Sequence, residues 1–139
     1  MKHRIQFFTM IEMVIVVLLI ALLAAIATPM YFSYLKDARV TAAQAQLEML
    51  DQAVFDYSVK MGSIPPQDPG LILLITNPNN DKRWRPFLKG KSLPKDPWGN
   101  DYIYNVLGDG EYEIISYGED GKAGGEGYAA DLSSKNQQN

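Results

Sequence analysis

The chain has 139 residues, room for one domain of ordinary size, with 13 Lys+Arg against 16 Asp+Glu and a net charge of −3. That balance gives no reason to expect a nucleic-acid partner, and the absence of Cys excludes disulfides, thiolate zinc sites and a cysteine nucleophile. The one His, His3, precedes the first long apolar run, which leaves the body of the chain without the general base of a Ser-His-Asp or Cys-His hydrolase.

Apolar residues are unevenly spread: 26 lie within residues 1–35, and 39 in the rest. From Met13 to Leu35 there are 23 residues without a formal charge. A helix of that length spans roughly 35 Å and covers a bilayer core of about 30 Å. Lys2 and Arg4 before the run favour a cytoplasmic N-terminus and an exported C-terminus. The run exceeds the apolar core of a cleaved secretory signal, so a membrane anchor is expected. Glu12 is costly inside such a segment unless it meets a cation or the membrane edge. Pro29 removes a helical hydrogen bond, and a kink or a local melt is expected near Thr28.

Phe8-Thr9-Met10-Ile11-Glu12 followed by a long apolar helix resembles the signature of type IV pilins and pseudopilins. The resemblance implies a seven-residue leader, Met1 to Phe7, removed by a prepilin peptidase. Cleavage between Phe7 and Phe8 is followed by methylation of the new amine. The resemblance further implies that Glu12 meets the terminal amine of a neighbouring subunit during assembly. This chain has Phe7 where the family has Gly before the cut.

Residues 36–61 carry Val40, Ala43, Leu47, Leu50, Val54, Tyr57 and Met61 at alternating spacings of three and four. That is one apolar stripe at helical period, expected to pack on a small sheet. Gly62 and Pro65-Pro66 end the helix. Residues 8–61 thus read as one helix of about 80 Å, interrupted near Pro29.

Residues 63–100 hold seven of the eight prolines. Leu71–Ile75 suits either a buried helical turn or a short strand. The stretch 82–95 is basic, with Trp84 and Phe87 inside it. Basic residues among aromatics suit single-stranded nucleic acid, but a net-acidic exported chain argues against it. Tyr102–Val106 and Glu111–Tyr117 read as two strands joined by Leu107–Gly110. The polar tail, 136–139, is expected to be disordered.

Three stretches then narrow the resemblance: Pro69-Gly70-Leu71-Ile72-Leu73-Leu74, Trp84-Arg85-Pro86-Phe87-Leu88-Lys89 and Leu93-Pro94-Lys95-Asp96-Pro97-Trp98-Gly99-Asn100-Asp101-Tyr102. In order and spacing they are similar to the major pseudopilin of type II secretion systems. The fold implied is α+β, a pilin-like lollipop. A long N-terminal helix would pack on a small antiparallel sheet beside a loop-rich region. Its parts would be the leader 1–7, the transmembrane and filament-core helix 8–35, and the periplasmic head 36–135. Read without the family, Asp96 accepts backbone amides, Pro97 fixes φ, Gly99 and Asn100 tolerate left-handed backbone, and Trp98 buries its ring.

Between Asp109 and Asp131 there are seven acids against Lys122 alone, and seven glycines lie between Gly108 and Gly127. Carboxylates and carbonyls suit Ca²⁺, although the acids lack EF-hand spacing. The resemblance implies a calcium site here, with Asp120 and Asp131 as two of three expected aspartates. Ala129 occupies the third position, where Glu126, a carbonyl of the Ile115–Tyr117 region or water would substitute.

The function implied is structural, not enzymatic: a subunit of the type II secretion pseudopilus that polymerises from the inner membrane into a periplasmic filament. Its partners would be copies of itself, the prepilin peptidase, minor pseudopilins and the inner-membrane assembly platform, with no nucleic acid. The basic stretch 82–95 and the acidic stretch 109–131 would face each other between neighbours. No GxxxxGK[ST] phosphate loop is present. The rival is a type IV pilin for adhesion, motility or DNA uptake.

Overall fold

The helix predicted from the apolar run begins at Met10 and reaches Met61 in the computed structural model, which describes residues 8–137. This helix, α1, is 52 residues long. Thr9 caps it: its Oγ1 accepts the Glu12 amide at 3.2 Å, and its carbonyl accepts the Met13 amide at 3.2 Å. Gly62 ends it at φ +91°, donating its amide to the Ser58 carbonyl at 2.8 Å. Glycine adopts that left-handed turn without a Cβ penalty.

The local melt expected near Pro29 is absent: the helix runs through it. Proline removes one hydrogen bond from a long ladder whose flanks are rich in the strong helix formers Ala, Leu and Met. One residue earlier, the Thr28 hydroxyl donates to the Ala24 carbonyl at 2.6 Å. The chain divides into two compact units, one ending at Lys36 and the other beginning at Asp37. Within the first, the described residues place their large apolar side chains in the open from Met10 to Leu35. By length and composition this helix is suited to crossing a membrane.

The second unit has its own core. The predicted helical stripe is buried at Ala43, Leu47, Leu50, Val54 and Tyr57, and Ala53 joins it. The ambiguous run at 71–75 resolves into a 3₁₀ turn, Gly70–Leu74, which buries Leu71, Leu73 and Leu74 against that face. Trp84 and Phe87 belong to the same core. The Trp84 indole donates to the Leu73 carbonyl at 2.7 Å, and the Phe87 ring meets Tyr57 edge-on at 5.2 Å. These aromatics are packing elements rather than an exposed stacking platform.

Three antiparallel strands complete the unit in the order β1 (Ile103–Gly108), β2 (Glu111–Ser116), β3 (Leu132–Ser133). Tyr104 lies opposite Ile114, and both side chains are buried. The loop is the two residues Asp109 and Gly110, at φ +52° and +82°, tighter than the four-residue turn expected. Positive φ at both central positions is what a type I′ hairpin asks of an Asp-Gly pair. The third strand has no sequence signature, because two residues carry no alternation to read. Ser134–Gln137 follows as a 3₁₀ turn, and residues 138 and 139 of the polar tail lie outside the described residues.

Before the hairpin, the Asp96–Asn100 turn takes the predicted form. Asp96 Oδ1 accepts the amides of Trp98 at 3.1 Å and Asn100 at 2.7 Å. Gly99 supplies the left-handed residue at φ +94°, a role Asn100 does not share. Trp98 is only half-buried.

Candidate functional site

Two regions carry the predicted site residues. At the N-terminus, Phe8 and Glu12 are exposed, while Phe7 and the rest of the leader lie outside the described residues. Glu12 is the third residue of α1, with its amide held by Thr9. Thr-x-x-Glu is the spacing of a capping box, a signal in the sequence that the motif resemblance overshadowed. The carboxylate also sits at the positive end of the helix dipole, a favourable place for a negative charge.

The second region is the glycine-rich acidic loop that leaves β2 and returns at β3. Its glycines allow close backbone approach. A Cβ on Gly118, at φ +64°, would lie 2.9 Å from the Ala130 carbonyl oxygen and 3.1 Å from that of Tyr128. A Cβ on Gly125 would collide with the Ala129 carbonyl. The loop is thus folded on itself, with three successive carbonyls turned against glycines. Tyr128 ties it to α1, its hydroxyl donating to Asp37 Oδ1 at 2.9 Å.

The three predicted carboxylates behave differently. Asp131 Oδ2 accepts the Gly124 amide at 2.9 Å, while its Oδ1 is buried with no hydrogen-bond partner. A buried carboxylate oxygen left unpaired is costly, and a cation would relieve it. Asp120 is exposed, and its Oδ1 accepts the Lys122 amide at 3.1 Å. Glu126 is exposed, and its backbone carbonyl accepts the Ala129 amide. Among the described residues, no three His, Cys, Asp or Glu side chains gather as a metal-holding group. The unpaired Asp131 oxygen suits a hard cation, but Asp120, Glu126 and Asp131 do not gather as one metal-holding group among the described residues.

The basic stretch is partly engaged within its own chain. Arg83 pairs with Asp81 at 2.9 Å, and that guanidinium bond holds the Asp81 carboxyl below its usual range. Arg85, Lys89 and Lys91 remain on the exposed surface.

Residues 30–135 match the family described as type II secretion system (T2SS), protein G. The chain is 36% identical over 135 residues to the type II secretion system core protein G of Vibrio cholerae, covering 94% of this chain and 92% of the relative. It is 35% identical over 129 residues to the protein of the same description in Pseudomonas aeruginosa, covering 90% and 91%. Its fold is similar to the crystal structure of the major pseudopilin from the type 2 secretion system of enterohaemorrhagic Escherichia coli. The TM-score is 0.58 at 24% identity, over 73% of this chain and 90% of that one.

Proposed function

The chain belongs to the protein G family of the type II secretion system, a structural subunit of the pseudopilus, and we propose from that premise how its parts serve the filament. A type IV pilin role is not favoured, since the relatives named above are secretion proteins.

One observation carries the reading: the exposed apolar surface of α1 from Met10 to Leu35. Leaving a large apolar side chain in water costs about 1.5–3 kcal/mol, so a surface of this size needs a non-aqueous cover. Lipid of the inner membrane covers it before assembly, with the second unit on the periplasmic side. The same face of other copies covers it in the filament, where apolar helices replace acyl chains. Exchange between two apolar covers leaves little hydrophobic driving force, so specific contacts must select the assembled state. Glu12 is our candidate for that contact, pairing with the amine of Phe8 on a neighbouring copy after a prepilin peptidase has cut behind Phe7. Arg85, Lys89 and Lys91 offer positive charge to the acidic loop of the next copy. Minor pseudopilins and an inner-membrane platform are the further partners that the family implies.

The acidic loop is our candidate calcium site. Asp131 would hold the ion through Oδ1, with Asp120 and the loop carbonyls as further oxygen donors and Glu126 as an exposed reserve. A bound Ca²⁺ would supply the positive charge that the buried Asp131 oxygen lacks.

The test replaces Glu12 by Gln in the full chain, expressed with its secretion system. Membrane insertion should persist while filament yield falls at least about tenfold, the effect of losing about 1.4 kcal/mol per contact. Filaments at undiminished yield would remove Glu12 from assembly. Mass spectrometry of the extracted chain should find it starting at a methylated Phe8; a chain starting at Met1 would rule out the cleavage.

A further inference from the structure

We propose that the Asp96–Asn100 turn sets the geometry of the acidic loop, with Asn100 as its positioning residue. The turn is closed on itself. Besides the two amides that Asp96 Oδ1 accepts, the Gly99 amide donates to the Asp96 carbonyl at 2.9 Å. The Asp96 amide in turn donates to the Asn100 carbonyl at 2.9 Å. Asp96 is 4% exposed, and Pro97 has little backbone freedom. This is the fixed partner.

Two side chains of the turn reach the start of the loop. Asp96 Oδ2 accepts the hydroxyl of fully buried Ser116 at 2.7 Å, and Ser116 Oγ accepts the Gly118 amide at 3.3 Å. Asn100 Nδ2 donates to the Gly118 carbonyl at 3.3 Å. Gly118 is therefore held at both ends, its N–H through Ser116 and its C=O through Asn100. It is also the residue against which the carbonyls of Tyr128 and Ala130 close.

Asn100 makes a second approach. A Cβ on Gly121 would lie 3.2 Å from Asn100 Oδ1. One amide side chain thus abuts the loop at its first peptide and again at the residue after Asp120. Residues 119–127 are exposed, and within the loop they are held by the Glu119 amide on the Tyr128 carbonyl, the Lys122 amide on Asp120 and the Gly124 amide on Asp131. Asn100, 20 positions before Asp120, thus adds a hold from outside the loop on the segment that carries Asp120. The positional claim stands on these bonds alone. Its meaning for cation binding rests on the calcium reading above.

The experiment uses the full chain in detergent, with amide hydrogen exchange measured in excess chelator and again in calcium chloride. In chelator, Asn100→Ala should speed exchange about tenfold across residues 117–131, the effect of losing roughly one hydrogen bond. Protection in β1, β2 and the buried face of α1 should stay unchanged. Asn100→Asp keeps the size, loses the donor and should do the same. With calcium, both variants should need several-fold more ion to reach half protection. Asn77→Ala, which removes a side-chain bridge to the Asp81 carbonyl elsewhere in the unit, should leave the acidic loop unaffected. Unchanged loop exchange in the Asn100 variants overturns the proposal, as does faster exchange spread evenly over the unit. A wild-type loop indifferent to calcium would sink the metal reading alone, since the chelator arm still decides the positioning claim.

Discussion

At Asp131 the two carboxylate oxygens have different fates. One accepts the Gly124 amide, and the other is enclosed without a partner. An enclosed anionic oxygen of this kind costs more than an exposed one, and the cost is recovered if a cation arrives. Calcium at 100 times its dissociation constant would then add about 2.7 kcal/mol of stability. The expected outcome is a higher melting temperature for the full chain in calcium than in chelator. Asp131→Ala should erase that difference, and Ala129→Asp, which supplies a third carboxylate, should widen it. Equal melting of the wild-type chain in both conditions would remove the metal from this loop. Glu12 is a second residue with two roles. Its place in the first turn of α1 suits the helix dipole, and the same exposed carboxylate is available to a neighbour.

Among the elements, β1 has an unusual edge. It lies at the outside of the three-stranded sheet, where free N–H and C=O groups invite another strand. Gln67 occupies that edge. Its Nε2 donates to the Tyr104 carbonyl at 2.7 Å, and its Oε1 accepts the Val106 amide at 2.7 Å. One side-chain amide thereby imitates the peptide of an adjacent strand. In a molecule that polymerises, a closed sheet edge leaves association to other surfaces. Gln67→Ala should cost about 1–2 kcal/mol in a urea titration, from two lost hydrogen bonds. It should also promote association of the chain, read by light scattering in detergent. A variant with unchanged midpoint and unchanged size would deny Gln67 this role.

For the second unit as a whole, tyrosine hydroxyls join α1 to the rest. Tyr102 donates to Gln46, Tyr112 to Asp51 at 2.8 Å, and Tyr128 to Asp37 at 2.9 Å, while Tyr104 donates to the Pro65 carbonyl at 2.8 Å. Burial pushes the Tyr102 and Tyr112 hydroxyls above the usual tyrosine range and Tyr104 up to about 12. The folded chain therefore keeps protons that the unfolded chain releases near pH 10. Stability from these groups is complete below about pH 10 and is lost as pH rises from there through the folded-state values. Circular dichroism against pH should show unfolding above about pH 10, together with the rise of tyrosinate absorbance. Full tyrosinate formation near pH 10 with the fold intact would contradict it.

The sequence by itself determined what is encoded along the chain. The uncharged run to Leu35 dictates a lipid-type helix, the three-and-four spacing from Val40 to Met61 dictates the buried face, and Asp109-Gly110 dictates the hairpin. The spacing around Asp96-Pro97-Trp98-Gly99-Asn100 points to the family. The tertiary structure alone decided whether Leu71–Ile75 was turn or strand, where Leu132–Ser133 pairs, and that Trp84 and Phe87 pack inward. It also decided that, among the described residues, Asp120, Glu126 and Asp131 do not gather as one metal-holding group, and that Asn100 and Gln67 act on segments 18 and 37 residues away. Local periodicity and turn chemistry depend on neighbours in sequence, and so can be read from it. Bonds such as these exist only after the chain has closed on itself, and no spacing rule records which distant carbonyl an amide will meet.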